Sequence, residues 1–446
     1  MRTIRAYCFG FGTMTVLVFA LFLAGCEPQG ASRDQSESKA SVQMETLVSD
    51  GAWCWFSDPR AIYHHGADPQ IYFGYINQQG DVCIGAQDVA TRELTTYILH
   101  DSLEIDDHNV PTVLILPSDH LLTFYNEHNG HVFMRRSARP ADINAWEPER
   151  IIARASDQYN YTYTNPLRLS NEEGRIYLFG RKVGPTRSFA HWWPYFIFSD
   201  DDGESWSEDM ILLDNEGREN PPYMKVATDH KGRIDFLFTD GHPKIGSDVS
   251  VYHMFYLDGA FHQTNGDRIA ALEELPIAIA EVEKIYDAAS SDVRAWIWDI
   301  ALDKADRPVV TYARYPTEND HRYHYAYWDG HRWQDEEVCR AGGWMPSLRQ
   351  GDVVREAHYS GGIVLDPQDP TSVYLSRQIE GKFEIQHLRR ISPGEWSHQS
   401  ITEASEENNV RPYVVYDRPD DYPSVLWMSG IYNHYTRYET GIKIAY

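Results

Sequence analysis

Residues 106–129 read Asp106-Asp107-His108-Asn109-Val110-Pro111-Thr112-Val113-Leu114-Ile115-Leu116-Pro117-Ser118-Asp119-His120-Leu121-Leu122-Thr123-Phe124-Tyr125-Asn126-Glu127-His128-Asn129. Two apolar runs, Val113 to Leu116 and Leu121 to Tyr125, flank Ser118-Asp119-His120. Short apolar runs joined by turn-forming residues read as a β-hairpin. In an antiparallel pair the residues leading in and leading out meet at one end. His108 and His128 therefore share a rim, each flanked by carboxylates and amides.

The same unit recurs along the chain. From residue 50 onward helical periodicity is nearly absent, and short apolar runs alternate with Asp, Gly, Asn and Pro. First strands begin near Arg60, Pro111, Pro166, Tyr223, Asp299, Ser360 and Arg411. Second strands cover 71–75, 121–125, 176–179, 234–238, 308–312, 372–375 and 424–427. Outer hairpins follow: Tyr195 to Phe198 leading to Trp206, Tyr252 to Phe255, Tyr323 to Ala326 leading to Trp333, and Glu384 to His387 leading to Trp396. Units repeating every roughly 50–75 residues, each of about four strands, predict an all-β chain folded as a seven-bladed β-propeller. One blade cannot bury both of its faces; radial stacking buries them and protects the edges. Two stacked β-sandwich domains are the alternative architecture. The last strand, 441–446, is expected to pair near the N-terminus and close the ring. Residues 269–289 break the pattern and read as a short helix or a long excursion.

Ser199-Asp200-Asp201-Asp202-Gly203-Glu204-Ser205-Trp206 is similar to the Asp-box, S-x-D-x-G-x-[ST]-W. In that motif the Asp and Ser satisfy turn amides and the Trp packs into the blade, so it belongs to the fold and not to the chemistry. Trp328-Asp329-Gly330 and Ser392-Pro393-Gly394-Glu395-Trp396 resemble degraded copies.

The chain has 446 residues and a formal charge of -26, from 40 Lys and Arg against 66 Asp and Glu. Such a surface argues against nucleic acid and against anionic lipid faces. It leaves room for a small basic pocket, and the 13% aromatic content suits a β-rich protein or a carbohydrate surface. Residues 1–25 read as a signal: Arg2 and Arg5, an apolar run from Thr13 to Leu23, then Leu23-Ala24-Gly25-Cys26. This resembles a bacterial lipoprotein signal with Cys26 as the lipidated residue; an ordinary secretory signal with an incidental Cys is the other reading. Residues 26–46 are polar and Ser-rich and suit a flexible tether, leaving 47–446 as the propeller. Glu27 after the Cys resembles export to the outer membrane, with membrane contact only through the lipid and a monomeric protein. Cys54, Cys83 and Cys339 are too few and too widely spaced for a disulfide framework, and buried thiols are expected for Cys54 and Cys83.

Propeller ligands sit over the central channel, so candidate residues are those at equivalent strand ends. The second unit contributes His108 and His128, and the third Tyr161, Tyr163, Asn165 and Arg181. The fourth contributes Tyr223, Lys225 and His242, the first Asp58 and Arg60, and the seventh Asn409 and Arg411. This set lacks the close carboxylate pair that glycoside hydrolysis uses. Elimination from a uronate needs a cation at the C6 carboxylate, a base for the C5 proton and an acid for O4. His, Tyr and Arg supply these. Each residue also has a purely structural reading, as a strand-end hydrogen-bonding group or a bridge between blades.

Several stretches together resemble the BNR-4 repeat family: Trp53-Cys54-Trp55-Phe56-Ser57-Asp58-Pro59-Arg60, Asp106 to Asn109, Tyr163-Thr164-Asn165-Pro166, Thr239-Asp240-Gly241-His242-Pro243, Tyr359-Ser360-Gly361-Gly362 and Asn409-Val410-Arg411-Pro412. That family includes the propeller ulvan lyases of polysaccharide lyase families 24 and 25 and rhamnosyl-glucuronate-cleaving relatives. The resemblance implies a seven-bladed propeller and a His/Tyr/Arg lyase site. It places the catalytic pair of His at His108 and His128, and the Tyr at Tyr163, with Tyr161 an alternative. Arg181 takes the charge-neutralising position and His242 joins the pocket. It also implies a structural metal, for which Cys339 with Asp299, His324 and His358 is the candidate Zn²⁺ set; a buried Cys with unrelated His residues is the other reading. No organic cofactor is implied.

Three functions follow. One is a lyase for an anionic, ulvan-like uronate polysaccharide. Another is an exo-acting rhamnosyl-glucuronate lyase or glycosidase of the same family. The third is a non-catalytic sugar-binding lipoprotein. Arg60, Arg181, Lys182, Lys225 and Arg411 are the basic residues expected at the rim.

Overall fold

The computed structural model describes residues 42–186, 188–343, 359–419, 422 and 424–446. Cys26 and His358 lie outside them. Four-stranded antiparallel sheets follow one another in chain order. Blade one is Ala61–His64, Gln70–Ile76, Val82–Asp88 and Leu94–His100; blade two is Thr112–Ile115, Leu121–Asn126, Val132–Arg136 and Arg150–Ala153. Blade three is Asn160–Leu169, Arg175–Val183, Trp192–Ser199 and Met210–Ile211. Blade four is Tyr223–Thr228, Arg233–Thr239, Val251–Leu257 and Ala260–Gln263, extended by Arg268–Ala271. Blade five is Arg294–Leu302, Pro308–Thr317, Asp320–Trp328 and Trp333–Gly342; blade six is Ile363–Leu365, Ser372–Ile379, Lys382–Ser392 and Glu395–Ser400. The first strands of neighbouring blades pack together and line the axis. The fold is a seven-bladed β-propeller, and the paired-sandwich alternative falls away.

Blade seven closes the ring. Asn408–Val414, Val425–His434 and Arg437–Ala445 are completed by Met44–Val48 from the other end of the chain, with Met44 opposite Ala445 and Val48 opposite Ile442. This strand starts at Met44, three residues before the expected limit of 47. Tyr63 N–H donates to Tyr416 O at 2.9 Å and joins blades one and seven at the axis.

The stretch 269–289 is an excursion of blade four. Ile277–Ala278 pairs in parallel with Leu213–Asp214, Lys284–Tyr286 pairs with Val251–Leu257, and only Ala288–Ser291 is α-helical. Pro276 breaks the Ala- and Glu-rich run before a longer helix could form. The Asp-box is local and tight: Asp201 accepts from Ser199 Oγ at 2.8 Å, Ser205 N at 2.8 Å and Ser205 Oγ at 2.5 Å. Its Trp206 packs edge-on against Phe124 of blade two, 5.7 Å between ring centroids. A second inter-blade tie is a buried chain. Trp333 Nε1–H donates to Thr264 Oγ1 at 3.3 Å, Thr264 Oγ1 meets His253 Nδ1 at 2.8 Å, and His253 Nε2 meets Asp235 Oδ1 at 2.9 Å.

Residues 52–60 cross the channel. Trp53 O accepts from Arg411 Nη1 of blade seven at 2.5 Å, and Cys54 N–H donates to Asp107 O at 3.0 Å. Trp55 O accepts from Lys225 Nζ of blade four at 2.6 Å, and Phe56 O from Asn165 Nδ2 of blade three at 3.0 Å. Pro59 O accepts from Val113 N of blade two at 3.2 Å. The apolar side chains of Trp53, Trp55 and Phe56 are buried among the inner strands. The segment divides the axis into a cavity of about 500 Å³ on one side and about 240 Å³ on the other.

Candidate active site

The larger cavity is built from strand ends of several blades. The turn Asp107–Asn109 opens blade two and is capped by Asp106, whose Oδ1 accepts from His108 N at 2.9 Å. The same carboxylate holds both imidazoles, Oδ1 on His108 Nδ1 at 2.6 Å and Oδ2 on His128 Nδ1 at 2.8 Å. The rings stack, 4.1 Å between centroids and 13° between planes. The hairpin between them brings the two His together, as its symmetry requires.

Burial alone would push the His108 pKa down, but Asp106, aided by Asp107, outweighs it and raises it above the ordinary value. For His128, burial and then the charge of His108 win, and its pKa falls. Asp106 is buried, yet the two imidazoles hold its pKa far below the usual carboxylate range. Two cations 4 Å apart repel strongly, so the stack favours one charge shared over one carboxylate. Asp107 is anchored separately: its Oδ2 accepts from Arg411 Nη1 at 2.5 Å and from the Tyr432 hydroxyl at 2.6 Å.

Tyr163 faces this pair, 5.6 Å from His108 between ring centroids. Its φ is +68°, in the left-handed region that a bulky residue seldom adopts, and the strand register shifts between Thr162 and Asn165. The bulge separates the two tyrosines. Tyr163 turns toward the channel, whereas Tyr161 lies between blades two and three with its hydroxyl on Asp209 Oδ2 at 2.6 Å. Tyr161 does not line the cavity. Burial lifts the Tyr163 pKa well above the usual phenol value, against the opposing pull of Arg181.

Arg181 is 4% exposed and sandwiched between aromatic rings, its Cζ 4.7 Å from the Tyr163 centroid, 4.4 Å from Trp192 and 5.3 Å from Tyr223. It donates to the Tyr223 hydroxyl. Among the described residues no carboxylate pairs with it, and its Nε and Nη1 have no hydrogen-bond partner. His242 lies in the same cavity, its Nδ1 accepting from Lys244 N at 3.1 Å and its ring 4.3 Å from Trp296. Burial, then Lys244 and Arg181, keep its pKa well below the ordinary value.

Two other groups lie elsewhere. Arg60 is not at the rim: it is 1% exposed, with Nε on Asp58 Oδ1 at 2.9 Å and its guanidinium over Tyr413 at 4.4 Å. Lys225 pairs with the same Asp58. Of the metal set, the three described members, Asp299, His324 and Cys339, lie apart from one another. Asp299 sits on the innermost strand of blade five, lines the smaller cavity, and accepts from Leu365 N at 2.9 Å and Ile300 N at 3.0 Å. His324 is two strands outward, with Nδ1 on Asp335 Oδ1 at 3.1 Å, and Cys339 is on the fourth strand opposite Tyr323. Among the described residues the clusters able to share an ion are Cys54/Asp107/His108 and Asp106/His108/His128.

Several lining residues escaped the sequence. Tyr435, on the outer turn of blade seven, stands edge-on to His108 at 4.9 Å and to His128 at 5.4 Å. Trp192, Trp296 and Tyr359 complete an aromatic wall. Trp192 and Trp296 stand near the starts of blade strands, where the sequence does not separate them from core aromatics, whereas Tyr359 and Tyr435 stand in turns, where small polar residues are usual. Cys54 is buried as expected, but on the cavity and not inside a strand.

The arrangement joins a guanidinium with open donors, two imidazoles tied to one acid and a neutral phenol. This is a propeller with a polar, aromatic-walled cleft on one side of the segment that crosses its channel. The chain belongs to the BNR repeat-containing family, which it matches over residues 70–341. Two solved structures similar to it are those of a PL25 ulvan lyase. One is bound to -[GlcA(1-4)Rha3S]-, with a TM-score of 0.69 at 15% identity over 90% of this chain and 95% of the other. The second has a TM-score of 0.70 at the same identity and coverage. At that identity the likeness concerns the fold. No curated protein matches the chain in sequence.

Proposed function

We propose that the protein is a carbohydrate-processing enzyme, and specifically a lyase that cleaves an ulvan-like, uronate-containing polysaccharide by β-elimination. The observation that carries this is Arg181, a buried guanidinium with open N–H donors and no carboxylate partner among the described residues, set beside His108, His128 and Tyr163. A substrate carboxylate would complete it, and binding there withdraws charge from C6 and acidifies the C5 proton. The described lining contains one carboxylate residue, Asp107, already bonded to Arg411 and Tyr432. That is a poor basis for hydrolysis, which uses two.

In this reading Arg181 and Tyr223 hold the carboxylate, with His242 alongside. His108 Nδ1 is fixed on Asp106, so Nε2 is the nitrogen left to take the C5 proton. The electron pair forms C4=C5, the C4–O4 bond breaks, and the Tyr163 hydroxyl returns a proton to O4. His128 shares Asp106 and supports the developing charge. The products are a 4,5-unsaturated uronate and a new chain end. The bound glucuronate and rhamnose sulfate of the structural neighbour support this class of substrate. We assign the lipid anchor to Cys26 and the site of action to the outer membrane. The test is ultraviolet absorbance during digestion of uronate polysaccharides. Growth of the unsaturated-uronate band, lost in His108→Ala, is expected. Reducing ends released without that band would mean hydrolysis, and a full rate in His108→Ala would overturn the residue assignment.

A further inference from the structure

Cys54 has no part in the elimination, yet it lines the same cavity. Its Sγ, an Asp107 oxygen and a His108 ring nitrogen lie within 4.8 Å of one another. Asp107 is 0% exposed and its Oδ1 makes no hydrogen bond; it stands 3.3 Å from His108 Nδ1. The other oxygen is taken by Arg411 and Tyr432, which hold the carboxylate in one orientation. Cys54 is fixed by its backbone bond to Asp107 O at 3.0 Å. A thiol, an imidazole and a carboxylate oxygen this close together form the mixed donor set of Zn²⁺-type ions.

We propose that Cys54, Asp107 and His108 form an inhibitory site for a thiophilic divalent cation such as Zn²⁺. Binding forms an M–S bond and releases to solvent the Cys54 thiol proton and the proton shared by the His108–His128 stack; the Cys54 thiolate and the Asp106 carboxylate then offset the ion's two charges, while Asp107, whose charge stays paired with Arg411, adds its Oδ1 as a donor. The ion engages His108 and removes it from proton transfer. This regulation rests on the lyase reading, but ion binding itself does not.

The probe is Co²⁺ added to the metal-free full chain and followed by absorbance, with Zn²⁺ as competitor. One equivalent is expected to produce a thiolate-to-cobalt band that Zn²⁺ abolishes. The band disappears in Cys54→Ser and in Cys54→Ala, each checked for native circular dichroism, and persists in Cys339→Ser. Zn²⁺ lowers the elimination rate of the wild type at least tenfold, with the midpoint of the competition curve. Each Cys54 variant, compared with its own metal-free rate, resists Zn²⁺. A band that survives both Cys54 substitutions, or no band at all, overturns the site. Zn²⁺ binding that leaves or raises the rate overturns its inhibitory role. If the metal-free wild type shows no elimination, the lyase reading fails while the absorbance result still decides the site.

Discussion

Arg181→Met separates binding from folding at one position. The wild-type guanidinium leaves Nε and Nη1 without partners. A charge-assisted hydrogen bond is worth about 1.5–3 kcal/mol, so two bonds to a substrate carboxylate supply about 3–6 kcal/mol. At about 1.4 kcal/mol per decade, kcat/KM falls by roughly 10²–10⁴ in the variant. The fold responds differently. Two buried, unpartnered N–H groups cost about 1–3 kcal/mol each, and the stacks on Tyr163, Trp192 and Tyr223 return about 0.5–2 kcal/mol each. These terms offset, and Met fills the slot with an apolar chain, so the unfolding free energy shifts by about 1 kcal/mol or less. Arg181→Lys keeps the charge and loses the planar fork, and falls between the two in activity. The assay pairs initial rates by ultraviolet absorbance with urea unfolding. A stability loss above about 3 kcal/mol alongside the activity loss would make Arg181 a structural ion. A kcat/KM within about threefold of wild type, under 1 kcal/mol, would remove the carboxylate site altogether.

Tyr163→Phe lowers kcat by about 10²–10⁴ with little change in KM, because it removes a proton donor. Tyr161→Phe leaves steady-state rates nearly unchanged and costs about 1 kcal/mol of stability from its bond to Asp209. Burial drives the His321 pKa down to about 4, so the folded chain keeps that ring neutral while the unfolded chain protonates it below about 6.5. Its stabilising contribution is present above pH 6.5 and lost as pH falls toward 4. His321→Asn therefore removes about 2 kcal/mol of the stability lost between pH 7 and pH 5 in urea titrations, and an unchanged pH slope contradicts this. Thr264→Val breaks the chain between Trp333 and His253 and costs about 2–3 kcal/mol, read as a lower denaturation midpoint with rates intact. Cys26→Ser shifts the protein from the membrane to the soluble fraction in cell fractionation.

The blades were legible because a hairpin is local: runs such as Leu121 to Tyr125 and the turns beside them lie within a few residues. His108 and His128 could be paired for the same reason, since their hairpin brings them to one rim. Arg181 was legible as the end of an apolar strand. The two tyrosines were not separable, because residues two apart in a regular strand share a face. Only the bulge at Tyr163, with its positive φ, sends it away from Tyr161. Arg60 looked like a rim residue because the sequence does not reveal that 52–60 turn inward. Asp299 and His324 looked like neighbours in one blade, but the register puts two strand spacings between them. Tyr435 reaches His108 from more than three hundred residues away, a contact that only ring closure creates.

The segment 52–60 makes the propeller a wheel on a fixed axle. On the proposed reading a glycan would not thread through the hub; it would lie across one mouth, and both halves of a cleaved chain would leave by the side on which the substrate arrived. The axle is also the early part of the ring, continuous with the Met44–Val48 strand that latches the final blade. The centre is thus synthesised before any of the blades that will surround it. Cutting the chain between two later blades would leave hub and latch together, whereas a start beyond residue 60 would remove both at once.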